Sequence, residues 1–280
     1  MIKSISYWSM PRGLEGTCPI ETALALAKTH AFAGIELAIA ETGVLTPATD
    51  QAACETYRRA AEKSGLALET LASGMSWGCC PTHPDPAVRN RSIALHAAAL
   101  QRAAWLGCQA MLLVPGAVTI PWDASFGPVR YDHAVTWAKQ AVTQLAPIAE
   151  RLNIDLCLEN VWNGMFYSPL ELAAFIDAIA SPRVGIYFDA TNVLGYHQFP
   201  PHWIELLGKR IRRVHIKDFK REVGSLVGFC RLFEGDMPFK ETLHALKAIG
   251  YDKSIVAEMI PYTDGLLEHT SAAMDRVLAM

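Results

Sequence analysis

Residues 211–218 have the sequence Ile211-Arg212-Arg213-Val214-His215-Ile216-Lys217-Asp218, and the alternation of polar and apolar side chains predicts a β-strand. Val214 and Ile216 would face one side of this strand, whereas His215 and Lys217 would face the other. Strands of an eight-stranded barrel bury their inner face as well as their outer face. A histidine near the end of such a strand therefore indicates the rim of a functional site.

Three further strand-like stretches each end in a carboxylate. They are residues 154–159, 184–189 and 254–258, which end in Glu159, Asp189 and Glu258. The terminal carboxylate lies on the parity opposite to a set of apolar residues in each stretch, which are Ile154, Leu156 and Leu158, then Val184, Ile186 and Phe188, and then Ile255 and Ala257. Four strands would thus bring three carboxylates and one imidazole, that of His215, to one end of a sheet. Such oxygen-rich sets are typical ligands of divalent cations, so the sequence predicts a metal site.

The composition describes a compact protein and disfavours several classes of function. The chain has 280 residues, of which 51% are hydrophobic and 19% charged, with a formal charge of -3. No basic patch indicates a nucleic-acid partner, and the apolar runs are shorter than the ~20 residues that span a bilayer. The first residues predict a strand and no signal peptide, and the seven cysteines form no CxxC pair. We therefore expect a cytoplasmic protein.

Predicted strands and helices alternate along the whole chain. The strands are expected at residues 2–8, 33–37, 67–72, 109–114, 154–159, 184–189, 211–218 and 254–258, and the helices at 19–29, 48–64, 87–106, 131–152, from 168, 201–209, 238–249 and at the end of the chain. Strict alternation implies parallel strands, and eight repeats favour a (β/α)8 TIM barrel over an open sheet. No nucleotide-binding glycine motif and no linker occur, so we expect one domain over residues 1–280.

Five segments resemble the xylose-isomerase-like TIM-barrel superfamily of sugar and sugar-phosphate isomerases and epimerases, over essentially the full length. They are Leu158-Glu159-Asn160, Phe188-Asp189-Ala190-Thr191-Asn192, Val214-His215-Ile216-Lys217-Asp218, Glu234-Gly235-Asp236, and Ala248-Ile249-Gly250-Tyr251 with Glu258. The motifs are most similar to those of the ketose 3-epimerase branch. This set of segments is specific to the superfamily and much less specific to a substrate.

The resemblance implies a cofactor and two catalytic residues. Glu159, Asp189, His215 and Glu258 would hold one divalent cation, with manganese expected first, and cobalt, magnesium or zinc also suited to the site. The two glutamates would also form the proton-transfer pair. The substrate would be a small carbohydrate, and a homo-oligomer is compatible with the family.

Several further residues are candidate substrate contacts. The resemblance implies this role for Arg221, which lies six residues after His215. Asn192 stands where many of these epimerases have a histidine, and its amide can still bind a sugar hydroxyl, whereas Met165 replaces a second glutamate and cannot. The remaining candidates are Lys217, Trp8 and Glu36, the last of which could instead accept hydrogen bonds from Arg213 or Lys217.

The mechanism expected from this set is proton abstraction beside a ketone, with the resulting enediolate stabilised by the cation. One glutamate would remove the proton and the other would return it. Return to the opposite face gives epimerisation, and return to the neighbouring carbon gives aldose-ketose isomerisation. A lyase, such as an inosose dehydratase or an enzyme that cleaves keto-glycosides, would use the same residues. A carbohydrate-binding subunit without turnover is a third hypothesis, and phosphorylated and free sugars are both left open.

Overall fold

The computed structural model describes residues 1–280 and contains a closed barrel of eight parallel strands. The strands are β1 (Ile2–Ser6), β2 (Gly34–Ile39), β3 (Thr70–Ser73), β4 (Ala110–Leu113), β5 (Asp155–Glu159), β6 (Val184–Asp189), β7 (Ile211–Ile216) and, after a small hairpin, β10 (Ser254–Ala257). Closure occurs between the first and last strands, because β1 pairs with both β2 and β10. The predicted (β/α)8 TIM barrel is confirmed.

Helices surround the barrel in the predicted order. They are α1 (Ile20–Thr29), α2 (Gln51–Ser64), α3 (Met75–Gly78), α4 (Pro86–Trp105), α5 (Tyr131–Leu152), α6 (Pro169–Asp177), α7 (Asn192–Gly195), α8 (Pro200–Leu207), α9 (Phe239–Ala248) and α10 (Leu266–Leu278). Gly65 ends α2 in the left-handed conformation with φ 68°, as expected of a glycine cap. None of the helices combines the length and the apolar character needed to cross a bilayer.

Several short elements were not expected from the sequence, among them the helices α3 and α7 and a hairpin after β7. The segment after β7, predicted to be the end of a strand and a long loop, contains a short antiparallel hairpin of β8 (Asp218–Phe219) and β9 (Phe229–Cys230). Strands of two residues are too short for periodicity to reveal them. The hairpin lies on the same side of the barrel as the strand ends that carry the predicted ligands.

The alternation along each strand separates the hydrophobic core from the candidate site. Outward residues such as Leu158, Phe188 and Val214 are fully buried in the layer between the strands and the helices. The inward residues include Asp189 and His215, which are paired in register on neighbouring strands. Because the strands are parallel, their carboxyl ends meet at one mouth of the barrel, where a site can be assembled.

Candidate metal centre and cavity

The four predicted ligands lie together at the carboxyl end of the barrel. One ligand atom from each of Glu159, Asp189, His215 and Glu258 can be chosen so that all four atoms lie within 4.8 Å of one another. The Nδ1 atom of His215 lies 3.7 Å from Oε1 of Glu159 and 3.8 Å from Oε2 of Glu258. All four residues are buried. A cluster of this composition and spacing can hold a divalent cation.

The orientation of His215 supports this interpretation. Its Nε2 atom lies 2.7 Å from Oε1 of Glu36, and Tyr187 donates its hydroxyl hydrogen to the other oxygen of the same carboxylate. Its Nδ1 atom is buried and has no hydrogen-bond partner. A carboxylate beside Nε2 favours the tautomer in which Nε2 carries the hydrogen, so the lone pair of Nδ1 points into the cluster. An unpartnered buried nitrogen is costly in a protein, and a bound cation would satisfy it.

Asp189 is fixed by backbone and amide groups around it. Its Oδ1 atom accepts hydrogen bonds of 2.9 Å from the backbone amides of Thr191 and Asn192. Asn160 binds both backbone groups of Asp189, donating to its carbonyl at 2.8 Å and accepting from its amide at 2.9 Å. These contacts leave Oδ2 to face the cluster. The sequence indicated Asn160 only as part of a motif, because periodicity cannot show a contact between strand ends.

Lys217 adds one positive charge to the three carboxylates. Its Nζ atom lies 2.8 Å from Oδ2 of Asp189 and also contacts Oε2 of Glu258. Burial disfavours the charged lysine, but the charges of Asp189 and Glu258 outweigh it and raise the lysine pKa above its usual value. The ammonium group therefore compensates part of the negative charge of the cluster.

The electrostatics of the cluster affect Glu159 and His215 most clearly. Burial, helped by the negative charge of Glu258, raises the pKa of Glu159 to about 7, against the lowering influence of His215 and Lys217. Burial alone would lower the pKa of His215, but the buried charge of Glu36 raises it well above the usual range, so a cation that binds Nδ1 would displace a proton from it. A glutamate with a pKa near neutrality can both accept and donate a proton at physiological pH.

A cavity of about 810 Å³ opens onto the cluster. Its polar end contains Glu159, Glu258, Lys217 and Asn192. Its other walls are largely apolar and include the tryptophans Trp8, Trp77, Trp122 and Trp162. The four metal-ligand candidates come from the second half of the barrel, whereas Trp8, Trp77 and Trp122 follow strands β1, β3 and β4 of the first half. Trp122 was not singled out from the sequence, because it lies in a long loop without periodic pattern.

Two predicted substrate contacts lie outside the cavity. Glu36 is fully buried below His215 and accepts hydrogen bonds from His215 and Tyr187, so neither a substrate contact nor the expected bonds to Arg213 or Lys217 occur. The side chain of Arg221 is exposed where the chain leaves the hairpin strand β8. The contact of Arg221 with a substrate stays a prediction. Lys217, Asn192 and Trp8 line the cavity, and their contact with substrate stays a prediction.

The backbone amides before α9 are already occupied. The carboxylate of Asp218 accepts hydrogen bonds of 2.8–3.1 Å from four backbone amides, those of Phe219, Phe233, Gly235 and Met237. A Cβ atom on Gly235 would lie 2.3 Å from Oδ1 of Asp218, so only glycine permits this approach. The segment Glu234-Gly235-Asp236 thus closes onto Asp218, and its amides are not free to bind a phosphate group.

The chain is similar to several known proteins. It is 37% identical over 73 residues to a 3-oxo-isoapionate decarboxylase of Pectobacterium atrosepticum, a match that covers only 26% of either chain. The structure of D-psicose 3-epimerase from Clostridium cellulolyticum H10 with D-tagatose has a TM-score of 0.79 at 18% identity, covering 100% of this chain and 99% of that one. A 3-keto-D-glucoside 4-epimerase from E. coli has a TM-score of 0.74 at 15% identity, with 93% and 94% covered.

The two structural likenesses, at these low identities, show a shared fold. The sequence profile described as the xylose isomerase-like TIM barrel matches residues 24–277, which include all but the first of the eight barrel strands. That match confirms the resemblance carried by the segments around Glu159, Asp189 and His215. The chain therefore belongs to the xylose isomerase-like TIM barrel family.

Proposed function

We propose that this protein is a divalent-metal-dependent sugar isomerase or epimerase that removes a proton from the carbon beside a ketone. The observation that carries the proposal is the unpartnered Nδ1 atom of His215, which faces the carboxylates of Glu159 and Glu258. A divalent cation, with manganese as the first choice, would supply Lewis acidity for the ketone oxygen and the adjacent hydroxyl. The resemblance to ketose 3-epimerases in the motifs supports the same interpretation.

Glu159 and Glu258 are suited to exchange a proton with the substrate. They reach the cluster from β5 and from the end of β10, which lie on either side of the neighbouring strands β6 and β7. A sugar between them would present a different side to each carboxylate. Glu159 can remove a proton as the base, and Glu258 can return one. The ammonium group of Lys217 lines the same cavity and would stabilise negative charge on the substrate oxygens.

A lyase is the second candidate, and the local match to a decarboxylase favours it over a binding protein without turnover. The name of that relative describes the loss of a carboxyl group from a 3-oxo compound. Removal of a group beside a ketone needs the same stabilisation of negative charge as removal of a proton. Glu159, Glu258 and Lys217 would then act on the same carbanion. The group that leaves, a proton or a carboxyl group, would decide whether the enzyme is an isomerase or a lyase.

Deuterium exchange tests the proposal. Manganese-loaded protein in heavy water is incubated with a panel of ketoses, their phosphates and a keto-inositol, and the carbon beside each ketone is followed by NMR. We expect deuterium together with a new epimer or aldose, and at least a ~100-fold loss of rate in Glu159→Gln and Glu258→Gln. The exposed Glu205→Gln serves as the matched control and should retain the wild-type rate.

Each candidate function predicts a different result of the same experiment. Exchange with loss of water, carbon dioxide or an aglycone would assign a lyase. Full exchange in both glutamate variants would refute the assigned proton pair. Absence of exchange over the whole panel would favour a carbohydrate-binding protein without turnover.

A further inference from the structure

We propose that the cavity accepts an uncharged keto sugar that carries an apolar substituent about as large as an aromatic ring. Trp8, Gly74, Trp77 and Trp122 form the subsite for this substituent. The inference deepens the proposed function and rests on it, since the sugar itself would lie at the polar end beside Glu159.

The cavity is divided into a polar and an apolar part. Of the 22 lining residues 14 are hydrophobic. Three of the four charged side chains, those of Glu159, Lys217 and Glu258, lie at the metal-ligand end, whereas Glu41 lies beside Gly78. A volume of about 810 Å³ lies near the upper end of the ~300–1,000 Å³ range of pockets that enclose drug-sized ligands. A free monosaccharide is covered with hydroxyl groups and would leave the tryptophan end unfilled or its own hydroxyls unpaired.

Trp8, Trp77 and Trp122 form a continuous aromatic wall of the cavity. The ring centroids of Trp77 and Trp122 lie 4.7 Å apart in an edge-to-face arrangement. Between Trp8 and Trp77 lies Gly74, where a Cβ atom would meet Trp8 at 3.4 Å and Trp77 at 3.9 Å. Because Gly74 has no side chain, both indole rings approach its backbone closely along this wall of the cavity. Trp122 is 56% exposed, so a bulky group can reach the wall from the mouth of the cavity.

The cavity has no unpaired basic side chain that could bind a phosphate group. Lys217 is the one basic residue among the lining side chains, against the three acidic residues Glu41, Glu159 and Glu258. Its ammonium group is held by Asp189 and Glu258. Arg221 is exposed outside the cavity. A dianionic phosphate would therefore meet net negative charge and no free cationic side chain, whereas an uncharged substituent would not need one.

Binding of two matched probes tests the subsite independently of turnover. Phenyl and methyl 3-keto-β-D-glucopyranoside present the same keto sugar with and without an aromatic substituent. Isothermal titration calorimetry, with and without manganese, should show at least tenfold tighter binding of the phenyl compound, a difference of about 1.4 kcal/mol. Neither D-fructose 6-phosphate nor another sugar phosphate should bind more tightly than the free sugar.

Gly74→Leu is the decisive variant because its side chain would project between Trp8 and Trp77 and change the shape of the aromatic wall. The φ of Gly74 is -91°, so a side chain is tolerated without backbone strain, and its Cβ position makes only ordinary van der Waals contacts. We expect the preference for the phenyl probe to fall below about twofold. Gly127→Leu is the matched control, since Gly127 lies outside this cavity with nothing within 4 Å of its Cβ position, and it should retain the preference.

Equal binding of the two probes, no binding of either, or an unchanged phenyl preference in Gly74→Leu would overturn the subsite. A solution dimer that buries Trp122 would also overturn it, and analytical ultracentrifugation of wild type and Trp122→Asp detects that case. Deuterium exchange separates this proposal from the preceding one. A phenyl preference without exchange in either probe refutes the proton-transfer function and leaves the subsite standing, whereas equal exchange without a preference refutes the subsite alone.

Discussion

Glu36 acts on the site although it has no access to the cavity. Its carboxylate lies 2.7 Å from Nε2 of His215 and also accepts the hydroxyl hydrogen of Tyr187. Carboxylates in this position fix the orientation and tautomer of a metal-binding histidine and increase its basicity. Among the residues around the cluster, Glu36 is thus a positioning residue for His215.

We expect Glu36→Gln to weaken manganese binding by roughly 10- to 100-fold, because the neutral amide no longer stabilises the required state of His215. Calorimetric titration of the metal-free protein with manganese measures the change. Glu205→Gln removes an exposed carboxylate on α8 and should bind manganese as the wild type does. Equal affinities in Glu36→Gln and wild type would mean that Glu36 does not position the histidine for a metal ion.

At this scale the sequence predicted which side chains share a face but not which of them touch. Periodicity placed Glu159, Asp189, His215 and Glu258 at the inner ends of their strands, and the structure brings them together. Glu36 was on the correct inner parity as well. Its contact with His215 joins β2 and β7 across the closed barrel, and no local pattern encodes a distance across the interior.

Helix α4 carries a second buried histidine, which is unrelated to the metal-ligand cluster. His96 has its Nδ1 atom 2.8 Å from the carbonyl oxygen of Ser92 and its Nε2 atom 3.4 Å from the hydroxyl of Ser76. Burial lowers its pKa to about 4 from an ordinary value of 6.5. The folded protein therefore keeps His96 neutral over a pH range in which the unfolded chain protonates it.

This difference makes the stability depend on pH. The stabilising contribution is complete above pH 6.5 and is lost as the pH falls towards 4, which amounts to about 3 kcal/mol for the shift of His96. We expect His96→Gln to show a smaller loss of unfolding free energy between pH 7 and 4.5 in urea titrations. The exposed His244→Gln should follow the wild type, and a steep loss in His96→Gln would contradict the assignment.

Elements with long patterns were predicted well, and short ones were not. Helix α5 has the predicted bounds of residues 131–152, and β6 has the predicted bounds of 184–189. The hairpin β8–β9 was missed because two residues carry no periodicity, and it is stabilised by the non-local hydrogen bonds of Asp218.

On the scale of the whole molecule, a bound cation should stabilise the barrel. Its proposed ligands come from four strands, so a metal ion would bind the folded state and not the unfolded chain. Free manganese at 100 times its dissociation constant would add about 2.7 kcal/mol to the unfolding free energy and raise Tm by on the order of 5 °C. Differential scanning calorimetry with manganese and with EDTA measures the shift. Asp189→Asn should reduce it strongly, and an equal shift in that variant would place the ion elsewhere.

The order of strands and helices was enough to predict the closed architecture. Eight repeats with apolar outer faces leave few other arrangements, and the strand order of the structure agrees. The volume and lining of the cavity were not predictable, because Trp122 and the hairpin belong to loops whose paths depend on tertiary contacts. The sequence thus predicted the scaffold and the clustering of Glu159, Asp189, His215 and Glu258, whereas the dimensions of the cavity required the structure.

The division of the barrel into two halves has an evolutionary consequence. The candidate ligands follow β5, β6, β7 and β10, whereas Trp8, Trp77 and Trp122 follow β1, β3 and β4. Substitutions in the loops that carry these tryptophans would therefore change the walls of the cavity without replacing a candidate ligand. Under selection for growth on a new carbon source, we expect substitutions first in these amino-terminal loops. A mutant library confined to them would sample new substrates while the candidate ligands and Glu36 stay unchanged.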